Sequence, residues 1–193
     1  TAIERVVDEG NFVMGKEVAA FEEEWAAYCG ARYCVAVSSG SDALFLSLSH
    51  AHDQRPQTKL VWTTPLTFWA TTESILRAGL RPRFGDADHH GVVVFDDIRS
   101  DEIALPVSLF GRPWKGGTSP GVIIEDLSHA HGHPLRGWAA AFSHYPTKNL
   151  GAMGMAGTVV TNDLDLATWL RRARNHSEDP ERRFSHLGVS GNF

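Results

Sequence analysis

Gly121-Val122-Ile123-Ile124-Glu125-Asp126-Leu127-Ser128-His129 is the stretch on which the fold turns. Gly121 to Glu125 is apolar at successive positions, which predicts a strand covered on both faces rather than one half open to water. Asp126 falls at its carboxyl end, the edge at which open α/β sheets bind ligands. A carboxylate there can pair with a protonated ring nitrogen. Read alone, Asp126 is equally an N-cap for a following helix.

Outward from this strand, short apolar runs alternate with helical patterns. Strands are expected at Tyr33 to Ser38, Leu60 to Thr63, Ile103 to Ser108, Ala139 to Ser143 and Gly157 to Thr161, with shorter ones at Arg81 to Phe84 and Gly91 to Phe95. Val18, Phe21, Trp25 and Tyr28 recur at helical spacing, and Gly30 stands where a C-cap belongs. Further helices are expected over Asp42 to His50, Ala70 to Ala78, and from about Leu164 to Asn175 with Asn162 as its cap. The alternation predicts an α/β sheet with helices on both faces.

A net charge of −5 argues against a nucleic-acid partner or an anionic membrane surface, and no apolar run reaches membrane-spanning length. The two cysteines, Cys29 and Cys34, are too few for a disulfide framework and fit a reducing, cytoplasmic compartment. The chain begins at Thr1 and stops at Phe193 without a terminal element, so both ends read as cut.

Three further segments carry chemistry. In Ser38-Ser39-Gly40-Ser41-Asp42-Ala43-Leu44 a small turn follows a strand and opens a helix. Such a turn lets backbone N–H groups and the Ser39 and Ser41 hydroxyls approach an anion at the positive end of the helix dipole; alone, it is more often just a cap. Phe142-Ser143-His144-Tyr145-Pro146-Thr147-Lys148-Asn149-Leu150-Gly151 places Lys148 in a loop of turn residues between two strands. Of the four lysines only Lys148 is flanked in this way, and partial desolvation there would make its amine nucleophilic, whereas an ordinary loop lysine is solvated. Thr67-Phe68-Trp69-Ala70-Thr71 sets an aromatic at a helix start, able to stack on a planar ring or to join the core. His129, His131 and His133 alternate, but Gly132 and Pro134 between them indicate a loop, and no cysteine or carboxylate spacing supports zinc; no metal is expected. No Gly-x-Ser-x-Gly elbow accompanies Ser143 and His144, so a hydrolase triad is not indicated.

Taken in order, these segments resemble the DegT/DnrJ/StrS family of sugar aminotransferases, which depend on pyridoxal 5'-phosphate (PLP). The resemblance begins at Phe12-Val13-Met14-Gly15-Lys16-Glu17-Val18 with Phe21-Glu22 and passes through the segments quoted above. It continues in Gly157-Thr158-Val159-Val160-Thr161-Asn162-Asp163 and Arg174-Asn175-His176, and ends in Gly191-Asn192-Phe193. It implies the large domain of PLP fold type I, a mostly parallel seven-stranded sheet, over residues 1–175. Residues 176–193 would start a connection toward a small domain that is absent.

The resemblance also implies roles. Lys148 would hold the cofactor as a Schiff base and shuttle the proton, and Asp126 would bind the pyridine nitrogen. His129, where the family usually has Gln, would bond the phenolic oxygen, and Phe68 would stack on the ring. Ser41 with the backbone of Gly40 to Asp42, together with Ser143, would hold the phosphate. Asn192 would reach the partner subunit's cofactor, making a homodimer with a shared active site. The implied reaction moves an amino group from an amino-acid donor, glutamate or glutamine, to a nucleotide-linked keto-deoxy sugar. Two alternatives stand beside it. Relatives that dehydrate sugars carry His in place of the lysine, which disfavours that chemistry for a chain with Lys148. The other is a short or split chain that binds PLP or a partner without catalysis of its own. Members of the family are about twice this length. Between Ser108 and Gly121, where they have a full helix, Leu109 to Pro120 shows no helical period and carries two prolines, barely enough for a parallel crossover.

Overall fold

The computed structural model describes residues 1–95, 98–115 and 121–177. Its elements run α1 (Ala2–Glu9), α2 (Lys16–Tyr28), β1 (Tyr33–Val37), α3 (Gly40–Asp53), β2 (Leu60–Thr63), α4 (Trp69–Arg77), β3 (Arg81–Phe84), β4 (Ile103–Ala104), β5 (Val122–Asp126), β6 (Ala139–Ser143), β7 (Gly157–Thr161) and α5 (Leu164–Ala173). The seven strands form one sheet in the order β1-β7-β6-β5-β4-β2-β3. Every pairing is parallel except the two made by β7, which lies antiparallel between β1 and β6.

The period-two rule sorts the strand side chains onto two faces. Val35, Val37, Val61, Ile103, Val122, Ile124, Ala139, Ala141 and Val159 join the main core with Leu44, Leu48, Ile75, Leu166 and Leu170 from α3, α4 and α5. On the other face Cys34, Ala140, Phe142 and Val160 pack against Trp25, Ala26 and Cys29 of α2. Farther along that same face Ala104 and Ile123 are covered by Val92, Val93, Ile98 and Trp114. These residues belong to irregular segments, so side chains from loops, Trp114 above all, cover this part of the sheet face.

Several boundaries differ from expectation for identifiable reasons. The strand expected from Ile103 to Ser108 pairs as a ladder only at Ile103–Ala104, because Pro106 has no N–H to give. The chain nevertheless stays beside β5: Asp126 N–H donates to Pro106 O (2.9 Å) and Ser108 N–H to Asp126 O (3.0 Å). Gly91 to Phe95 forms a single bridge, Ala87 to Val93, instead of a strand. Helix α3 starts at Gly40, two residues before the expected Asp42, with Ser39 as its cap. The cap of α5 is Asp163, not Asn162: Asp163 Oδ1 accepts from Asp165 N–H (2.9 Å) and Leu166 N–H (3.0 Å), while Asn162 Oδ1 accepts from Arg32 N–H (2.8 Å). Helix α1, which the sequence reading omitted, buries no residue and is held by a capping box of Thr1 and Glu4.

Candidate active site

Asp126 ends β5 on the face shared by Val122 and Ile124, the side covered by α3 and α4. It is 6% exposed, and both carboxylate oxygens are held. Thr71 Oγ1 of α4 donates to Oδ2 (2.9 Å), Ser128 N–H donates to Oδ1 (3.1 Å), and Thr67 Oγ1 lies 2.7 Å from Thr71 Oγ1. A buried carboxyl group so fixed holds one orientation. Glu125 points to the opposite face, where its Oε2 accepts the N–H groups of Arg136 and Gly137, 2.8 Å each. Burial raises its pKa against those bonds.

The first turn of α3 closes on the ends of β6 and β7. A Cβ on Gly40 would stand 2.6 Å from Ser143 Cβ, and one on Gly157 would stand 2.3 Å from Ser39 O. Only glycines allow this approach, which sets the helix N-terminus beside Ser143. Asp42 N–H donates to Ser39 Oγ (3.1 Å) and Ala43 N–H to Ser39 O (2.9 Å). The N–H groups of Gly40 and Ser41, at the positive end of the helix dipole, remain for an anion.

Lys148 lies in the loop after β6. Its N–H donates to Tyr145 O (2.8 Å), and Ala152 N–H closes the loop on His144 O (2.8 Å). The loop is braced from the far face of the sheet by His144, which is 2% exposed and packs edge-on against Phe21 and Trp25. Leu150 O, 3.0 Å from Nδ1, can only accept, so Nδ1 carries the proton and Nε2 accepts from Thr158 Oγ1 (3.0 Å). Burial lowers the pKa of this imidazole, favouring the neutral form. Replacing His144 by Phe keeps the packing but releases the loop. We expect a stability loss of about 1–2 kcal/mol in urea unfolding and slower capture of an aldehyde by Lys148.

These elements enclose a cavity of about 450 Å3, the size of a small-molecule site. Of the sequence-predicted residues, Gly40, Ser41, Phe68, Asp126, His129, Ser143 and Lys148 line it. Asp42 does not: its carboxylate binds the Ser38 and Ser39 hydroxyls and pairs with Arg77, and its N–H is already taken by Ser39. Asn192 falls outside the described residues. Burial lowers the Lys148 pKa below the usual lysine range, against the pull of Asp126. Burial, then the nearby Lys148 charge, likewise lowers that of His129, which Asp126 opposes. The three alternating histidines part company: His129 enters the cavity, His131 packs at an angle against Trp25, Phe142 and His144, and His133 Nε2 lies 3.2 Å from Gly111 O. Among the described residues no group of three metal-binding side chains occurs. Sequence reasoning missed Thr71, whose only signal was its place four residues after Thr67 at the start of a helix.

The aminotransferase profile described as DegT/DnrJ/EryC1/StrS matches residues 1–109 and 120–193. The chain belongs to the DegT/DnrJ/EryC1/StrS aminotransferase family. The ten residues left unmatched, 110–119, lie in the shortened crossover before β5. Among relatives in this family, the chain is 34% identical over 200 residues to the UDP-N-acetyl-3-dehydro-alpha-D-glucosamine 3-aminotransferase of Acidithiobacillus ferrooxidans, covering 91% of this chain and 53% of the relative. It is 34% identical over 206 residues to the dTDP-3-amino-3,4,6-trideoxy-alpha-D-glucose transaminase of Streptomyces venezuelae, covering 96% and 53%. The crystal structure of S. venezuelae DesV in complex with a ketimine intermediate superposes with a TM-score of 0.85 at 31% identity, over 99% of this chain and 56% of DesV. The chain thus spans about half the length of the relatives it matches.

Proposed function

We propose that residues 1–175 form the cofactor-binding large domain of a PLP-dependent aminotransferase, with 176–193 opening the connection toward a small domain. The reaction would move an amino group from an amino-acid donor, glutamate or glutamine, to the keto carbon of a nucleotide-linked sugar in amino-sugar biosynthesis. The relatives' names support the substrate class. One observation carries the reading: an amine of lowered pKa, a fixed carboxylate and an open helix N-terminus meet in one cavity. A homodimer whose Asn192 completes the partner's site, and a cytoplasmic location, belong to the same proposal. Among the described residues no helix is long and apolar enough to cross a membrane.

The residues present fit PLP. The Gly40 and Ser41 N–H groups with Ser41 and Ser143 suit its phosphate, Asp126 its ring nitrogen, His129 its phenolic oxygen, Phe68 its face and Lys148 its aldehyde. When bound, the group supplies an electron sink. Asp126 would keep the ring nitrogen protonated, and Thr71 and Ser128 hold Asp126 in line. Lys148 would take and return the proton at the substrate carbon. Its lowered pKa leaves more of the amine neutral, and so able to accept a proton, at pH 7–8 than an exposed lysine would have.

The test is addition of PLP followed by borohydride reduction and peptide mapping across pH. The adduct is expected on Lys148 and, because its pKa is lowered, to persist to lower pH than adducts on Lys16, Lys59 or Lys115. An adduct confined to one of those three lysines would refute the site.

A further inference from the structure

The sulfur atoms of the chain divide by exposure. Cys29 and Cys34 are buried in the cluster around Trp25, and burial raises the pKa of both thiols, that of Cys29 to about 12. With so little thiolate, neither is a ready target for oxidants. Two of the three methionines are placed in the opposite way. Met153 is 91% exposed and Met155 62%, and both lie in the loop between Lys148 and β7. The third, Met14, is half-buried. Met155 also lines the cavity that holds Lys148, and among the described residues lining that cavity Lys148 is the only lysine or arginine. Its thioether is therefore open to a small oxidant from solvent and borders the space of the reactive amine.

We propose that Met155 is an oxidation site through which a peroxide controls capture of the cofactor aldehyde by Lys148, with Met153 as a neighbouring scavenger. The control of the cofactor rests on the aminotransferase reading; the oxidation itself does not. The step is a transfer of one oxygen from hydrogen peroxide to the thioether. The sulfur lone pair attacks, an S–O bond forms as the O–O bond breaks, and the departing hydroxide takes the proton left on the transferred oxygen and leaves as water. Sulfur is oxidised by two electrons and the peroxide is reduced by two. A thiol-dependent sulfoxide reductase reverses the change, two thiols becoming a disulfide while the oxygen leaves as water. The consequence follows from what sets the amine. Burial holds the Lys148 pKa down, against the pull of Asp126. A sulfoxide turns a flexible apolar part of the cavity wall into a polar acceptor, so the ammonium form loses less by being buried. The Lys148 pKa then moves back toward the ordinary lysine range, less of the amine is neutral at pH 7, and capture slows. Met153 does not line the cavity, so its oxidation leaves the amine as it was.

The experiment treats the protein and its M153L, M155L and M155Q variants with hydrogen peroxide, removes the excess with catalase and maps added oxygen by peptide mass spectrometry. PLP is then added, and its capture is followed by absorbance across pH. Oxygen should appear on Met153 and Met155 well before Met14. In the parent, capture at pH 7 should slow about threefold and its pH profile should move up by about half a unit, both in step with oxidation of Met155. M153L should keep this response. M155L should behave alike with and without peroxide. M155Q carries a polar acceptor without any oxidation, so untreated it should already show the slower capture and the shifted profile relative to M155L. A merely structural disturbance lowers the melting temperature and slows capture at every pH without moving the profile. Met155 oxidised no faster than Met14, parental capture with Met155 fully oxidised, or an equal response in M155L would each overturn the proposal while the untreated parent still takes up PLP. No uptake of PLP on Lys148 by the untreated parent overturns the aminotransferase reading, and the control over the cofactor with it, whatever the oxidation map shows.

Discussion

Under the proposed function, replacing Asp126 by Asn should lower the single-turnover rate with an amino donor by about 10²–10³-fold while leaving the fold intact. The magnitude is that of removing one preorganised electrostatic partner from a desolvated site. Asn keeps the volume, and its Oδ1 can still accept from either Thr71 Oγ1 or Ser128 N–H, so the α4 to β5 contact largely survives. What disappears is the negative charge that, in the proposed function, would keep a ring nitrogen protonated. Asp126→Ala removes charge and contact together. If charge is the main contribution, Asn and Ala should be nearly equal in rate and differ in stability, with Ala the weaker. Rates come from the decay of the cofactor absorbance on mixing with glutamate, and stability from urea unfolding. An Asn variant with parental rate would show that Asp126 only holds α4 in place.

The second large effect concerns stability. Arg174, at the C-cap of α5, donates to Glu22 of α2 and, at 2.9 Å, to Ala36 O of β1. Glu22 Oε1 also accepts Ala36 N–H at 2.7 Å. The two side chains are only 11% and 12% exposed. Arg174→Ala leaves a carboxylate with one N–H partner in a buried place and should cost about 3–5 kcal/mol. Exchanging both partners for apolar residues, Glu22→Leu with Arg174→Met, removes the stranded charge and should recover much of that loss, leaving chiefly the unpaired backbone groups of Ala36. Urea midpoints of the two single variants and the double variant decide this. A double variant as unstable as the sum of the singles would mean that the pair contributes by packing alone.

Much of this site was legible before the structure, and the reason is local. The apolar run before Asp126 fixes a buried strand, and its length fixes which residue stands at the carboxyl edge. Likewise the loop between β6 and β7 is bounded by two readable strands, so Lys148 had to emerge at the same edge. What escaped depends on distant contacts. Thr71 matters because α4 packs across to β5, a relation 55 residues apart in the chain. The positive φ of Phe110 is accompanied by bonds of Arg112 to His90 and of His133 to Gly111, neither of which the local sequence Leu109-Phe110-Gly111 announces. The irregular cover of Val92, Val93, Ile98 and Trp114 has no period to read. Helix α1 buries nothing, but Ile3, Val6 and Val7 recur at helical spacing behind the Thr1–Glu4 capping box, a local signal that was there to read.

The place of β7 has a consequence for how the chain folds. Among the described residues strand β1 lies at the sheet edge, and its one ladder joins Tyr33 to Thr161 and Val37 to Gly157. During synthesis at about 5–20 residues per second, β1 therefore waits several seconds or longer for its partner to be made. Its backbone stays unpaired through that interval, and this high contact order slows folding. The turn at Ser39 and Gly40 closes on Gly157 only once β7 has been made, so the anion cradle depends on the last strand of the sheet.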